Sequence, residues 1–225
     1  LNMTHMMKYL TGPLYRKYLK RAMDIVLSFT LLIFFSPICL ITAIVIKLTS
    51  RGPLFADVPE RIGRNTRRFT MYKFRSMINN AHVILRTDPN FAKLFSEYKK
   101  GSYKLMDDPR VTKFGTIIRK HSIDEIPQLL NVLKGQMSIV GPRAYYKDEL
   151  EDQQKRYPHT RSLVKRVLSL NPGITGLWQV SGRSEINFDK RIALDASYVD
   201  NLSLWNDLKI ILKTPWIMIT GKGAV

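Results

Sequence analysis

Apolar residues run almost unbroken from Ile25 to Ile46, and no charged side chain interrupts those 22 positions. As one helix the stretch is about 33 Å long, enough to cross a bilayer core of about 30 Å. It is the only run of membrane length in the chain. It does not read as a cleavable signal sequence, because it is too long and no small-x-small pattern follows before Lys47. Basic residues crowd both ends: Arg16, Lys17, Lys20 and Arg21 before it, then Lys47, Arg51, Arg61, Arg64, Arg67 and Arg68. The positive-inside rule asks for both ends on the cytoplasmic side, which a straight span cannot satisfy. Ser36 and Pro37 stand near the middle, and a proline there removes one helical hydrogen bond and clashes with the carbonyl of Ile33. The pattern predicts a re-entrant membrane helix over residues 22–50, broken at Ser36-Pro37. A proline-kinked span and the buried helix of a soluble protein are the alternatives.

The rest of the chain punctuates itself. Residues 1–21 mix basic side chains with Met, Tyr and Leu, as a basic interfacial segment would, with Gly12-Pro13 as an interruption. After Gly52-Pro53, short apolar runs around Leu54-Phe55 and from Phe69 to Phe74 flank the polar turn Gly63-Arg-Asn-Thr-Arg-Arg68, which reads as a small β-hairpin. Residues 79–107 read as mainly helical, with a break at Asp88-Pro89 and no motif of their own, hence as a surface lobe. Arg110 to Lys120 and Ile123 to Lys134 read as two helices joined near His121-Ser122, the second ending at Gly135. Asp148 to Arg166 reads as a charged helix interrupted at Pro158. Over 202–220, Leu204, Trp205, Leu208, Ile211, Leu212 and Trp216 recur at helical spacing. Tryptophans at both ends of that stripe tilt it from core toward a membrane interface.

Charge narrows the partners. Lys+Arg number 36 against 18 Asp+Glu, a formal net charge of +18, so a polyanion is expected: nucleic acid, an anionic membrane or a phosphorylated substrate. No zinc spacing, RNP-like strand or basic heptad supports nucleic acid. The lone cysteine, Cys39, excludes an intrachain disulfide, and His5, His82, His121 and His159 show no metal-ligand spacing. A chain of 225 residues suits one buried core with a small lobe or membrane element besides.

The chemistry concentrates between Arg119 and Arg143, where Asp124 and Glu125 stand side by side between arginines able to hold phosphate. Asp124, ionised at neutral pH with a reference pKa of about 3.9, is available as an oxygen nucleophile or metal ligand. The competing structural reading is a capping box, since Ser122 and Glu125 have the S-x-x-E spacing ahead of Ile126, Leu129, Leu130 and Leu133. Asp124 has no role in such a cap. Further on, Pro172-Gly-Ile-Thr-Gly-Leu-Trp-Gln-Val-Ser-Gly-Arg183 offers glycine backbone that a ligand can approach and a guanidinium fork at Arg183.

Together these blocks resemble the bacterial sugar transferases that make polyprenyl-diphosphate-linked sugars, the monotopic phosphoglycosyl transferase family. The resemblance covers nearly the whole chain. It rests on Lys20-Arg21 with Asp24, Ser36-Pro37, Gly52-Pro53, Arg61-Ile-Gly63, Tyr72-Lys-Phe-Arg-Ser-Met77, Asp108-Pro-Arg110, Arg119 to Arg143, Pro172 to Arg183, and Asp207 to Thr214. It implies an α+β fold, mainly helical, with a re-entrant membrane helix and a small cytoplasmic catalytic domain over 51–225. It further implies transfer of a sugar-1-phosphate from a UDP-sugar to polyprenyl (undecaprenyl) phosphate at the cytoplasmic face of the bacterial inner membrane.

In the implied roles, Asp124 is the nucleophile and Glu125 holds Mg2+. Arg119, Arg143 and Arg183 grip phosphate, and Gly173, Gly176 and Gly182 shape the nucleotide side. Homo-oligomer formation stays open. Two departures from the family pattern stand out: Leu54 to Glu60 lacks the usual glutamine ahead of Arg61, and His121 replaces a small hydroxyl residue. The rival readings are a non-catalytic membrane scaffold and a membrane-anchored nucleic-acid-binding module.

Overall fold

The computed structural model describes residues 12, 14–100, 103, 105, 107–182 and 186–220. The elements called by their labels here are helices α1 (Lys20–Thr49), α2 (Ala81–Thr87), α3 (Ala92–Lys100), α4 (Lys113–Lys120), α5 (Gln128–Leu133), α6 (Lys147–Arg156), α7 (Arg161–Val167), α8 (Leu177–Val180), α9 (Phe188–Asp200) and α10 (Leu204–Thr220), with strands β1 (Arg61–Ile62), β2 (Arg68–Phe69), β3 (Ser138–Val140) and β4 (Gly173–Thr175). The fold is mainly helical, as expected, with two small sheets, of which one is the expected hairpin.

A π-turn, Tyr15–Leu19, runs directly into α1, so the helical segment extends over 35 residues. It is long and apolar enough to cross a membrane, and only 11% of its most apolar stretch is buried within this chain, unlike a core helix, which is mostly buried. The chain stays helical through Pro37 rather than breaking there, which corrects the expected helix-break-helix. The physical reason lies next door: the Ser36 hydroxyl donates to the Ile33 carbonyl at 2.7 Å, replacing the donor that proline lacks.

One stripe of α1 packs on the rest of the protein from end to end. Near its start Asp24 accepts from Ser138 Oγ at 2.6 Å and from the Ile139 N–H at 3.0 Å, while Arg21 donates to the Leu133 carbonyl at 2.8 Å. Near its end Ile46 is buried against Phe74 and Ile118, and Arg75 donates to the Ser50 carbonyl at 3.0 Å. The opposite stripe, including Phe29, Ile33, Phe34, Leu40 and Ile41, is exposed.

The predicted hairpin is present: β1 pairs antiparallel with β2, and a bridge joins Phe55 to Phe74 beyond it. The breaks at Asp88-Pro89 and Pro158 also fall where expected, each as a single 3-10 turn between helices. The second helix predicted after His121 divides instead into a 3-10 turn, Ile123–Glu125, and α5. Pro127, which cannot donate to a continuing helix, sits at the junction.

Two features carried no sequence signal of their own. Strands β3 and β4 pair in parallel, and α9 packs Phe188, Ile192 and Ala196 against Ile62, Tyr145 and Val167. The main core lies where β3, α1 and α5 meet, around Tyr15, Val132, Met137 and Val140.

Candidate active site

Asp124 is held by a turn whose period does the aiming. Ser122 adopts a left-handed conformation, φ 56°, which ends α4 and turns the chain into the 3-10 segment. A 3-10 helix repeats every three residues, so Ile123 and Ile126 share a side and pack into the core. Asp124 and Glu125, between them, face the cavity instead. The Phe74 N–H donates to the Asp124 carbonyl at 2.9 Å and fixes the turn against the segment after β2. Ser122 makes no side-chain cap hydrogen bond, so the capping-box reading of Ser122 and Glu125 is not what the structure builds.

Lys73 completes this centre. Its ammonium lies 2.6 Å from Glu125 Oε1 and 3.5 Å from Asp124 Oδ2, bridging the two carboxylates. Burial raises the Asp124 pKa above the usual carboxylate value; Lys73 opposes this, Glu125 reinforces it, and Arg119 opposes it. Burial alone would lower the Lys73 pKa, but Glu125 and then Asp124 hold it above its ordinary value. Lys73 therefore stays charged and favours the anionic form of Asp124 against the effect of burial.

The cavity holds about 250 Å³ and brings together Asp124, Glu125, Arg119, Arg143 and Gly173. Arg143 follows β3, and its backbone N–H donates to Asp195 Oδ2 at 3.0 Å. Its guanidinium lies 5.1 Å from the Trp178 ring and 3.9 Å from Glu149, and its buried Nε has no hydrogen-bond partner among the described residues. Burial lowers the Arg143 pKa from the ordinary arginine value, and Arg191 and Arg61 add to that against Glu149. Arg143 also lines the cavity, where a guanidinium can meet an anion.

Residues 15–221 match the profile of the bacterial sugar transferase family. The chain belongs to that family. It is 44% identical over 212 residues to the undecaprenyl-phosphate galactose phosphotransferase of Salmonella typhimurium, covering 92% of this chain and 42% of that protein. It is 38% identical over 220 residues to the UDP-N-acetylgalactosamine-undecaprenyl-phosphate N-acetylgalactosaminephosphotransferase of Aeromonas hydrophila, covering 96% and 47%. It is 40% identical over 205 residues to the exopolysaccharide production protein ExoY of Sinorhizobium fredii, covering 91% and 87%. The chain thus spans less than half of the first two relatives and most of the third.

Within the site the glycines divide. Gly173 lines the cavity, whereas Gly176 and Gly182 do not. A Cβ on Gly173 would meet Gly141 N at 2.1 Å, and one on Gly176 would meet Gly141 O at 2.1 Å, so both let the chain around β4 lie against the end of β3. That contact sets Arg143 beside Trp178. Arg183 lies outside the described residues.

Among the described residues no three His, Cys, Asp or Glu side chains converge. A divalent cation here would be held by Glu125 and would draw its remaining oxygens from a diphosphate and water. Magnesium favours that arrangement.

Several cavity residues carried no assigned role in the sequence: Lys73, Arg61, Arg110, His82 and Gln179. Lys73, Arg61, Arg110 and Gln179 stand in blocks of the family resemblance, which was the available signal. His82 offered none beyond its residue type.

Proposed function

We propose that this domain transfers a sugar-1-phosphate from a nucleoside diphosphate sugar, a UDP-hexose, to undecaprenyl phosphate through a covalent intermediate on Asp124. The observation that carries this reading is the Asp124 carboxylate, paired with Lys73, opening into a cavity lined also by Arg119 and Arg143. The family and the names of its relatives support the donor and acceptor classes.

In the first step an Asp124 Oδ attacks the β-phosphorus of the donor. The bond from that phosphorus to the bridging oxygen breaks, and UMP departs with the electron pair. In the second step an oxygen of the lipid phosphate attacks the same phosphorus, releasing the Asp124 carboxylate and forming the polyprenyl diphosphosugar. An anionic carboxylate 4 Å from a phosphoryl charge is repelled by about 4 kcal/mol per charge pair at an effective dielectric near 20. Arg119 and Arg143 offset that repulsion and neutralise the leaving phosphate, the largest contribution a protein makes to phosphoryl transfer. Mg2+ held by Glu125 beside Asp124 would supply further charge neutralisation on the diphosphate.

The membrane element serves proximity, because it keeps a lipid acceptor and a water-soluble donor at one surface. Both ends of α1 are tied to the same body, Asp24 to β3 and Ser50 to Arg75. A helix crossing the bilayer would separate its ends by about 30 Å of hydrocarbon. We therefore read α1 as a continuous helix, bent at Pro37, that enters the membrane without crossing it, with the catalytic body on the cytoplasmic face.

The test is UMP release from UDP-hexose by membrane preparations, with and without Mg2+. Asp124→Asn should lower turnover about 10³-fold or more, because it removes the attacking oxygen anion. Turnover equal to that of the unsubstituted protein would exclude Asp124 as the nucleophile.

A further inference from the structure

The phosphate chemistry leaves one wall of the cavity unused. His82 on α2, Tyr98 on α3 and Tyr103 beyond it come from the lobe, yet they line the same cavity as Asp124. Tyr98 and Tyr103 meet edge to face with centroids 5.1 Å apart. Tyr103 lies 6.3 Å and His82 6.5 Å from the ring of Tyr146, which also borders the cavity. The wall is held from behind: the Tyr103 hydroxyl donates to Asp152 at 2.8 Å, and Arg110 donates to the carbonyl of Ala81, next to His82, at 2.9 Å.

Resting on the reaction just described, we propose that this lobe wall receives the hexose ring of the donor, with His82 as the residue that discriminates between sugars. A hexose presents apolar C–H faces that pack on aromatic rings and hydroxyls that both donate and accept. The cations around the cavity, Lys73, Arg119 and Arg143 among them, can only donate. A neutral imidazole supplies an acceptor as well as a donor, and His82 is kept neutral. Burial, with Arg61, Arg110 and Arg86 nearby, pushes its pKa down to about 3, against a smaller opposing pull from Asp108. Phosphate is drawn to Lys73, Arg119 and Arg143 around Asp124, which leaves the aromatic rings and the imidazole of the lobe wall for the sugar. Substitutions in the lobe also leave the Asp124 turn, with its Phe74 hydrogen bond, untouched.

The experiment uses the full chain in lipid nanodiscs with UDP-galactose, UDP-glucose and UDP-N-acetylgalactosamine. It measures kcat/KM for each donor and, in Asp124→Asn protein, Kd for each donor and for UDP. His82→Phe should weaken the preferred donor about tenfold relative to the others, the value of one lost hydrogen bond, while leaving UDP affinity and the KM for undecaprenyl phosphate unchanged. His82→Gln, which keeps an acceptor, should restore part of the ratio and serves if the phenylalanine variant does not fold. Donor ratios unchanged in both variants overturn the proposal. Equal loss for every donor together with weaker UDP binding also overturns it, because it places the base on this wall. Absence of turnover by the unsubstituted protein strikes the reaction itself, and the Kd ratios then still decide the wall.

Discussion

At the scale of single residues, Lys73 governs the reactive carboxylate. Asp124 is buried enough to favour its neutral form, and Lys73 is the strongest influence opposing that. Removing the ammonium should therefore raise the Asp124 pKa further. The active species is the anion, so its population falls at a higher pH in Lys73→Met than in the unsubstituted protein. The acid limb of kcat/KM against pH should move upward in Lys73→Met and much less in Lys73→Arg, which keeps the charge. A limb that stays in place in Lys73→Met would refute this role. Asp124, Glu125, Arg119 and Arg143 were legible in the sequence because they fall within one short segment. Lys73 was not, because its bond to Glu125 spans 52 positions and forms only when the segment after β2 lies across the 3-10 turn.

At the scale of elements, α1 shows how a local rule can be locally compensated. Proline predicted a break, yet Ser36 satisfies the Ile33 carbonyl and the helix continues. The proline ring still crowds the preceding turn, which is why the axis is expected to bend there. Lys17 and Thr49 are exposed near the two ends of the helical segment. In a protein with Cys39→Ser, single cysteines at Lys17 and Thr49 should both react with a membrane-impermeant maleimide from the cytoplasmic side of inverted vesicles. Labelling of the two from opposite sides would show a full span. The parallel pair β3 and β4 escaped the sequence pattern for a different reason. Strands of three residues show too little alternation to be read, and what joins them is backbone hydrogen bonding, such as Ser138 N to Pro172 O at 2.8 Å.

At the scale of the whole molecule, α1 and α10 share one anchor. Asp207 of α10 is fully buried and accepts from Lys20 at 2.7 Å and from Tyr15 and Tyr198 at 2.6 Å each. That anchor turns Trp205, Leu212, Trp216 and Ile219 outward on one face of α10. This face and the exposed stripe of α1 are both apolar, the character expected of surfaces that meet a membrane interface. Tryptophan quenching by lipids brominated near the headgroup checks this. Trp216 as the sole tryptophan should be quenched strongly, and Trp178, buried beside Arg143, should be nearly unaffected. Equal quenching of the two would remove α10 from the interface.

What the sequence determined by itself is what short-range physics specifies. The uncharged run of 22 residues, the basic flanks, the proline breaks at 89 and 158 and the carboxylate pair between arginines each follow from neighbours along the chain. The tertiary structure decided which side chains share the cavity with Asp124. It brought in Lys73 and the lobe wall, assigned Gly176 to backbone packing and left Ser122 without its expected side-chain cap. Those outcomes depend on contacts between segments far apart in sequence, which exist only once the core around β3 has closed.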